Sequence, residues 1–258
     1  MRIFDTHSHL FDEAFNSDRT ECLMRVASLN MSLMIVGYSH EANIKAYELA
    51  KRSDKYYSSA GLHPSEATHN YEEDVKILEE FIKTHEVKAL GEIGLDYYYD
   101  DAPAREIQKK LFRLQMNLAY KYKLPVIIHT REAWQDTYDI IKEYKDKVVG
   151  IIHCYSGSIE MAREFIKLGY YIAIGGAVTF KNANNIKNVV KEIDLNYLVV
   201  ETDCPYITPV PYRGKRNESS YIVYTLNEIA NIRNMAIEEL EEITYVNACK
   251  IFRIEEKI

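Results

Sequence analysis

Residues 125–155, PVIIHTREAWQDTYDIIKEYKDKVVGIIHCY, contain one strand–helix–strand unit. PVIIHT (125–130) and VVGIIHCY (148–155) are short runs rich in β-branched residues, and AWQDTYDIIKEYK (133–145) repeats its apolar residues at helical spacing. Both short runs reach a histidine at or near their carboxyl end, His129 and His153. The same alternation extends in both directions. Further strands are expected at RIFDTH (2–7), SLMIVGYS (32–39), YYSSAGLH (56–63), KALGEIG (88–94), YYIAIGG (170–176) and YLVVETD (197–203), which makes eight. Amphipathic segments lie between them. DRTECLMRVASLN, for example, puts Cys22, Val26 and Leu29 on one face. SSYIVYTLNEIANIRN and IEELEEITYVNACKIFRI read as two further helices in the tail.

Strand and helix alternating at a spacing of about 30 residues imply parallel βαβ units. Eight units in 258 residues predict an α/β fold, a parallel eight-stranded TIM (β/α)8 barrel with additional C-terminal helices. An open doubly wound sheet is the alternative, but no GxGxxG follows the first strand. No linker, low-complexity run or internal repeat interrupts the chain, so residues 1–258 are expected to form one domain.

The net charge of −7, from 32 basic and 39 acidic side chains, argues against a protein that coats nucleic acid with a broad basic surface. It leaves a nuclease open, because bound cations supply local positive charge. The N-terminal apolar stretch is short and carries Asp5 and two histidines, unlike a secretory signal, and no run has the length of a membrane span. Cys22, Cys154, Cys204 and Cys249 show no CxxC spacing and read as reduced thiols. A cytoplasmic protein with no membrane association and no obligate protein partner is expected.

The unusual polar residues collect at the carboxyl ends of the expected strands. His7 and His9 end the first, His63 the third, His129 the fifth, His153 the sixth, Glu201 and Asp203 the eighth, and Glu92 lies near the end of the fourth. Barrel enzymes build their active sites on that face. Residues two apart on a strand share a face, so His7 and His9 project into the mouth together, as do Glu201 with Asp203 and His129 with Arg131. Any one of these histidines alone could be a hydrogen-bonded core residue; their convergence is what points to a metal site. Four histidines with carboxylates suit a divalent ion, and the absence of thiolates disfavours structural zinc. His7, His9, Glu92, His129, His153 and Asp203 exceed one open tetrahedral centre and suit two ions. Glu92 arrives between the two histidine groups and is the expected bridge.

DTHSHL (5–10), GLHP (61–64), GEIGLDYY (91–98), PVIIHTRE (125–132), IIHCYSGS (151–158), IGGAVTFKNA (174–183), ETDCPY (201–206) and RGKRNE (213–218) together resemble the TatD-related family of metal-dependent deoxyribonucleases, within the amidohydrolase-like barrels. The resemblance implies two divalent ions (Mg, Mn or Zn) and phosphodiester hydrolysis, often as a 3′→5′ exonuclease, on single-stranded or frayed DNA in repair or degradation. By position it implies that His7, His9 and Asp203 hold one ion and His129 and His153 the other, with Glu92 between them. The family usually continues RGKRNE with proline; Ser219 stands there in this chain, which bears on the stiffness of that loop.

Asp203 is the expected proton acceptor for the attacking water, and Glu201 is expected to hold a ligand histidine or assist the relay. Asp5 is expected to support a first-strand histidine. His63, Arg131, Ser156, Gly157, Arg213, Lys215 and Arg216 are the expected phosphate contacts, and Tyr97, Tyr98 and Tyr99 lie where a base could stack or a loop could pack. Two rival readings accompany this one: a barrel deacylase acting on aminoacyl-tRNA or a small-molecule amidohydrolase, and a non-catalytic scaffold that keeps its metal.

Overall fold

The computed structural model describes residues 2–255. Its strands are β1 (Ile3–Ser8), β2 (Met31–Val36), β3 (Tyr56–Ala60), β4 (Ala89–Asp96), β5 (Val126–Arg131), β6 (Gly150–Ile152), β7 (Tyr171–Ile174) and β8 (Leu198–Val200). Each pairs in parallel with the next in chain order. The sheet curls until β8 meets β1: Thr6 Oγ1 donates to Val200 O (2.9 Å), the Asp203 N–H to His7 O (2.8 Å) and the His9 N–H to Cys204 O (2.9 Å). The result is a nearly closed barrel.

The helices are α1 (Arg19–Ser28), α2 (His40–Ala50), α3 (Tyr71–Thr84), α4 (Arg105–Tyr122), α5 (Trp134–Glu143), α6 (Ile159–Lys167), α7 (Asn184–Glu192), α8 (Ile222–Arg233) and α9 (Ile237–Phe252). One follows each strand, so α8 completes the eighth unit and α9 is additional. Its Tyr245, Ala248, Cys249, Ile251 and Phe252 pack with Phe4, Met34, Ile127, Ile151, Tyr171 and Val199 inside the barrel. α9 thus plugs the amino end and leaves the carboxyl end open. Among the described residues no helix is long and apolar enough to cross a membrane.

Several strands are shorter than expected: β2 ends at Val36 instead of Ser39, β6 covers only Gly150–Ile152 of 148–155, which leaves His153 beyond it, and β7 covers Tyr171–Ile174 of 170–176; three further differences bear on the site. β3 stops at Ala60 instead of reaching His63. Beyond it, side-chain amides take over from a neighbouring strand: Asn43 grips both backbone groups of Gly61 (3.1 Å each), and Gln115 grips those of Leu62 (2.8 and 3.0 Å). β8 stops at Val200, and Asp203 has a left-handed backbone (φ 54°) that takes it out of the strand. β4 runs on to Asp96, because its pairing with β5 continues through Asp96 and Arg131.

Two strands break simple alternation. Asp5 is opposite Leu33 and Ser8 opposite Ile35, so β1 spends three positions where β2 spends two. Leu90 is opposite Val126 and Ile93 opposite Ile128, the same mismatch in β4. Leu33, Ile35, Leu90, Ile93, Val126 and Ile128 all belong to the layer under the helices. An extra residue reverses which side later residues face. Phe4 faces inward, yet so does His7, an odd number of positions on; Ala89 faces inward, and so does Glu92.

The segment between β8 and α8 is tied to α1 by two ion pairs. Arg25 meets both oxygens of Glu218 (2.6 and 2.7 Å), and Arg216 meets both of Asp18 (2.6 and 2.7 Å). Buried Asn217 donates to Thr202 O and Tyr206 O. Ser219, where the family usually has proline, lies with its hydroxyl 3.6 Å from Cys204 Sγ, so side-chain contacts hold this loop. Burial pushes the Glu218 carboxyl up, but Arg25 and Ser220 outweigh it and hold the group below its ordinary 4.5. A lowered carboxyl stabilises the fold above its unfolded value and loses that contribution as pH falls through its folded value. Glu218→Gln is therefore expected to destabilise by about 1–2 kcal/mol at pH 7, less than a fully buried pair because Arg25 is half-exposed. Thermal melts should show a Tm lower by roughly 2–8 °C, with the gap closing below about pH 4. A gap that stays constant down to pH 3 would contradict the ion-pair account.

Candidate metal centre

His7 on β1, His9 just beyond it, Glu92 on β4, His129 on β5, His153 after β6 and Asp203 after β8 meet at the open end of the barrel. His7 Nε2 and His9 Nε2 are 3.1 Å apart, and each lies 3.5–3.8 Å from Glu92 Oε2 and from Asp203 Oδ1. On the other side, Glu92 Oε1 is 2.9 Å from His129 Nδ1 and 3.1 Å from His153 Nε2. Ligands about 2.0–2.1 Å from a tetrahedral ion are roughly 3.3 Å from one another. The observed spacings scatter around that edge length, and the two oxygens of Glu92 face two different ligand groups.

The nitrogens fit such ions as well. His9 Nδ1–H donates to Val36 O (2.8 Å), which leaves Nε2 as a lone pair facing the cluster. His129 Nε2–H donates to Asp96 Oδ2 (3.0 Å), which leaves Nδ1 as its lone pair. That Nδ1 approaches Glu92 Oε1 closely yet makes no aligned hydrogen bond, the relation of two ligands on one ion. His7 Nδ1 is buried without a hydrogen-bond partner. The donor set, imidazole and carboxylate without thiolate, suits zinc, manganese or magnesium.

Charge is distributed accordingly. Burial pushes the Glu92 carboxyl up, but His153, His129 and His7 around it outweigh this and hold it well below the ordinary range. Asp203 is lowered in the same way: burial opposes, and His9, His153 and His7 prevail. Burial and the stacked His153 ring, 3.9 Å away, push His7 down. Burial also acts against protonation of His129 and His153, but the carboxylates beside them push both up: Asp96 and Glu92 for His129, Glu92 and Glu201 for His153.

Glu201 is fully buried, accepts the Cys154 N–H (2.6 Å) and sits 3.4 Å from His153 Nδ1. The contact is an ion pair without an aligned hydrogen bond, since His153 Nδ1 is buried with no hydrogen-bond partner. Asp5 does not reach a histidine ring. Next to inward-facing Phe4, it faces the helices by simple alternation, while the register shift that follows it turns His7 the other way; there burial raises its carboxyl to about 7 and it accepts from the Thr202 N–H (2.9 Å), Thr202 Oγ1 (2.6 Å) and the His7 backbone N–H (3.3 Å). It fastens the β8–β1 seam.

His63 stands at the rim with its ring 4.5 Å from that of His129 and Nε2 3.8 Å from Glu92 Oε1. Its Nδ1 accepts the Ser65 N–H (3.1 Å), and burial with the nearby His129 lowers it to about 4. The neutral ring therefore carries its proton on Nε2, a donor aimed at the cluster. His63, Asp96 and His129 are also close enough to hold a cation. Their atoms are already committed, though: Asp96 Oδ1 accepts the Tyr98 N–H, Oδ2 accepts from His129, and His63 Nε2 is protonated. Asp96 and His129 are hydrogen-bonded to each other, with the His63 ring packed beside them.

The Arg131 guanidinium lies over the Tyr98 ring (3.6 Å) and donates to Tyr99 Oη (3.1 Å), while Tyr97 Oη donates to Asp136 (2.7 Å). These tyrosines hold an arginine and a loop. Ser156 is exposed, Gly157 is buried, and both carbonyls accept from Asn185. Arg213 is exposed over Phe180 (4.2 Å) and Lys215 is exposed. Arg216 is turned away to Asp18 and Ala14 O, because that contact secures the loop to α1. Sequence reasoning missed Asp96, although it lies four residues past Glu92 and therefore on the same face of a strand. Extending β4 to its observed end would have found it.

Comparisons with known proteins bear on the family and the fold. A family model described as TatD related DNase matches residues 4–253. YabD of Bacillus subtilis (strain 168), named an uncharacterized metal-dependent hydrolase, is 43% identical over 254 residues, covering 98% of this chain and 99% of the relative. YcfH of Escherichia coli (strain K12), named likewise, is 33% identical over 99% of this chain and 97% of its own length. Among solved structures, YJJV, a TatD homolog from Escherichia coli K12, superposes with a TM-score of 0.91 at 27% identity, covering 97% of this chain and 98% of that one. A phosphotriesterase homology protein from Escherichia coli shares the fold at a TM-score of 0.68 and 13% identity, over 97% of this chain and 98% of that one.

Proposed function

Because this chain belongs to the TatD-related family of metal-dependent hydrolases, we propose that it is a deoxyribonuclease that uses two divalent ions to cleave phosphodiester bonds at single-stranded or frayed DNA ends, in the 3′→5′ direction. The observation that carries the reading is Glu92, whose Oε2 faces His7 and His9 while its Oε1 faces His129 and His153. His7, His9, Glu92, His129, His153 and Asp203 would hold the ions, which would supply Lewis acidity that makes a water nucleophilic near neutral pH and neutralises phosphoryl charge.

The protein's own groups do the rest. Asp203 is a ligand on the mouth side, and its carboxylate takes the proton released by the attacking water. Glu201 keeps His153 in orientation. His63 Nε2–H donates to a nonbridging phosphoryl oxygen, and Arg131, pinned by Tyr98 and Tyr99, binds the next phosphate. Ser156 lines a small pocket shared with Asp203 and would add a hydroxyl there, and exposed Arg213 and Lys215 would add positive charge from the loop after β8. Arg216 serves by holding that loop.

One observation favours a second substrate class, an ester bearing an amine, such as aminoacyl-tRNA. A groove of about 340 Å³ beside His9 is walled by Phe11 and Tyr38 and rimmed by Asp12, Glu13 and a Glu41–Lys45 ion pair, so its net charge is negative and suits a cationic group. The test is digestion of end-labelled DNA and RNA across a panel of metals, with aminoacyl ester and amide controls. Cleavage of single-stranded DNA should stop in chelator and return with manganese or magnesium. Undiminished cleavage in chelator would refute metal dependence, and turnover of the ester alone would move the assignment to deacylation.

A further inference from the structure

Two glutamines on α4, Gln108 and Gln115, lie seven positions apart and so two helical turns along one face, and both are buried. Each acts as the missing partner of a strand. Gln115 grips Leu62 beside His63; Gln108 accepts the Asp96 N–H (2.9 Å) and donates to Asp96 O (2.8 Å) and Pro103 O (2.8 Å). With its backbone gripped, Asp96 presents Oδ2 to His129 Nε2 at 3.0 Å. In the His7, His9 and His153 rings it is Nε2 that faces a carboxylate of the cluster, whereas His129 turns Nδ1 toward Glu92.

We infer that Asp96, clamped by Gln108, is the positioning residue that selects the Nδ1 lone pair of His129 and thereby sets the affinity of the ion held by His129 and His153. The inference rests on the two-ion reading above. A histidine free to rotate or to change tautomer offers the ion the wrong nitrogen part of the time, and the carboxylate also makes the imidazole a stronger donor. Asp96→Asn keeps an oxygen for the Nε2–H but removes the charge; Asp96→Ala removes both. Gln108→Ala leaves the carboxylate in place and frees its backbone.

The metal-free full chain and its variants are titrated with Mn²⁺ by calorimetry, with circular dichroism melts to establish folding. The parent should take up two equivalents. Asp96→Asn should weaken one of them by roughly 10-fold and Asp96→Ala by up to roughly 100-fold, with the other unchanged, and Gln108→Ala should act on the same equivalent in the same direction. A parent that binds a single equivalent would refute the two-ion reading. A parent that binds two, with folded Asp96 variants that bind both as tightly or lose both equally, would overturn the Asp96 assignment.

Discussion

Glu92→Ala is expected to empty both ion positions together and to lower turnover by at least about 10⁴-fold, roughly 5 kcal/mol of barrier. Glu92 turns one oxygen toward His7 and His9 and the other toward His129 and His153, while His153 also comes within ligand distance of His7 and Asp203. Removing His153 would leave His7, His9, Asp203 and one Glu92 oxygen around the first position, a usable set. Removing Glu92 leaves each group a ligand short and brings buried imidazoles together with no carboxylate between them. Metal content by mass spectrometry, measured beside activity, checks this. A variant that keeps one equivalent at the parent's affinity would show that Glu92 serves one ion only.

Asp203→Asn is expected to lower kcat by roughly 10²- to 10⁴-fold while changing affinity for a non-hydrolysable DNA end only a few-fold. Asparagine retains an oxygen at the ligating position, and it tolerates the left-handed backbone that Asp203 adopts, so geometry is largely kept. What it cannot do is accept a proton. Single-turnover cleavage and binding to phosphorothioate-ended oligonucleotides separate the two effects. A loss confined to binding would remove Asp203 from the proton role.

The composition of the site was legible because metal ligands are chemically rare and tied to strand ends. The chain has eight histidines, and four of them fall at or near the carboxyl ends of apolar runs and join this cluster. Supporting residues were harder to see. Asp96, Gln108 and Asn43 look in sequence like ordinary polar residues of a strand end and two helices, and their partners lie in other elements of the barrel. Arg216 looked like its neighbours Arg213 and Lys215 until the packing of α1 placed Asp18 against it.

The alternation of eight strands with their helices, and with it the barrel and the six residues at its mouth, is written along the chain, since both follow from periodicity and residue chemistry. Which way two of those strands turn their side chains depends instead on how they pair. Counted in strict alternation from Phe4 and Ala89, His7 and Glu92 would face the helices. One extra residue against β2 and one against β5 turn them inward, and with them comes the division of Glu92's two oxygens between two histidine groups. Strand register is set by pairing with a neighbouring strand, so it is a property of two segments and cannot be read from either alone.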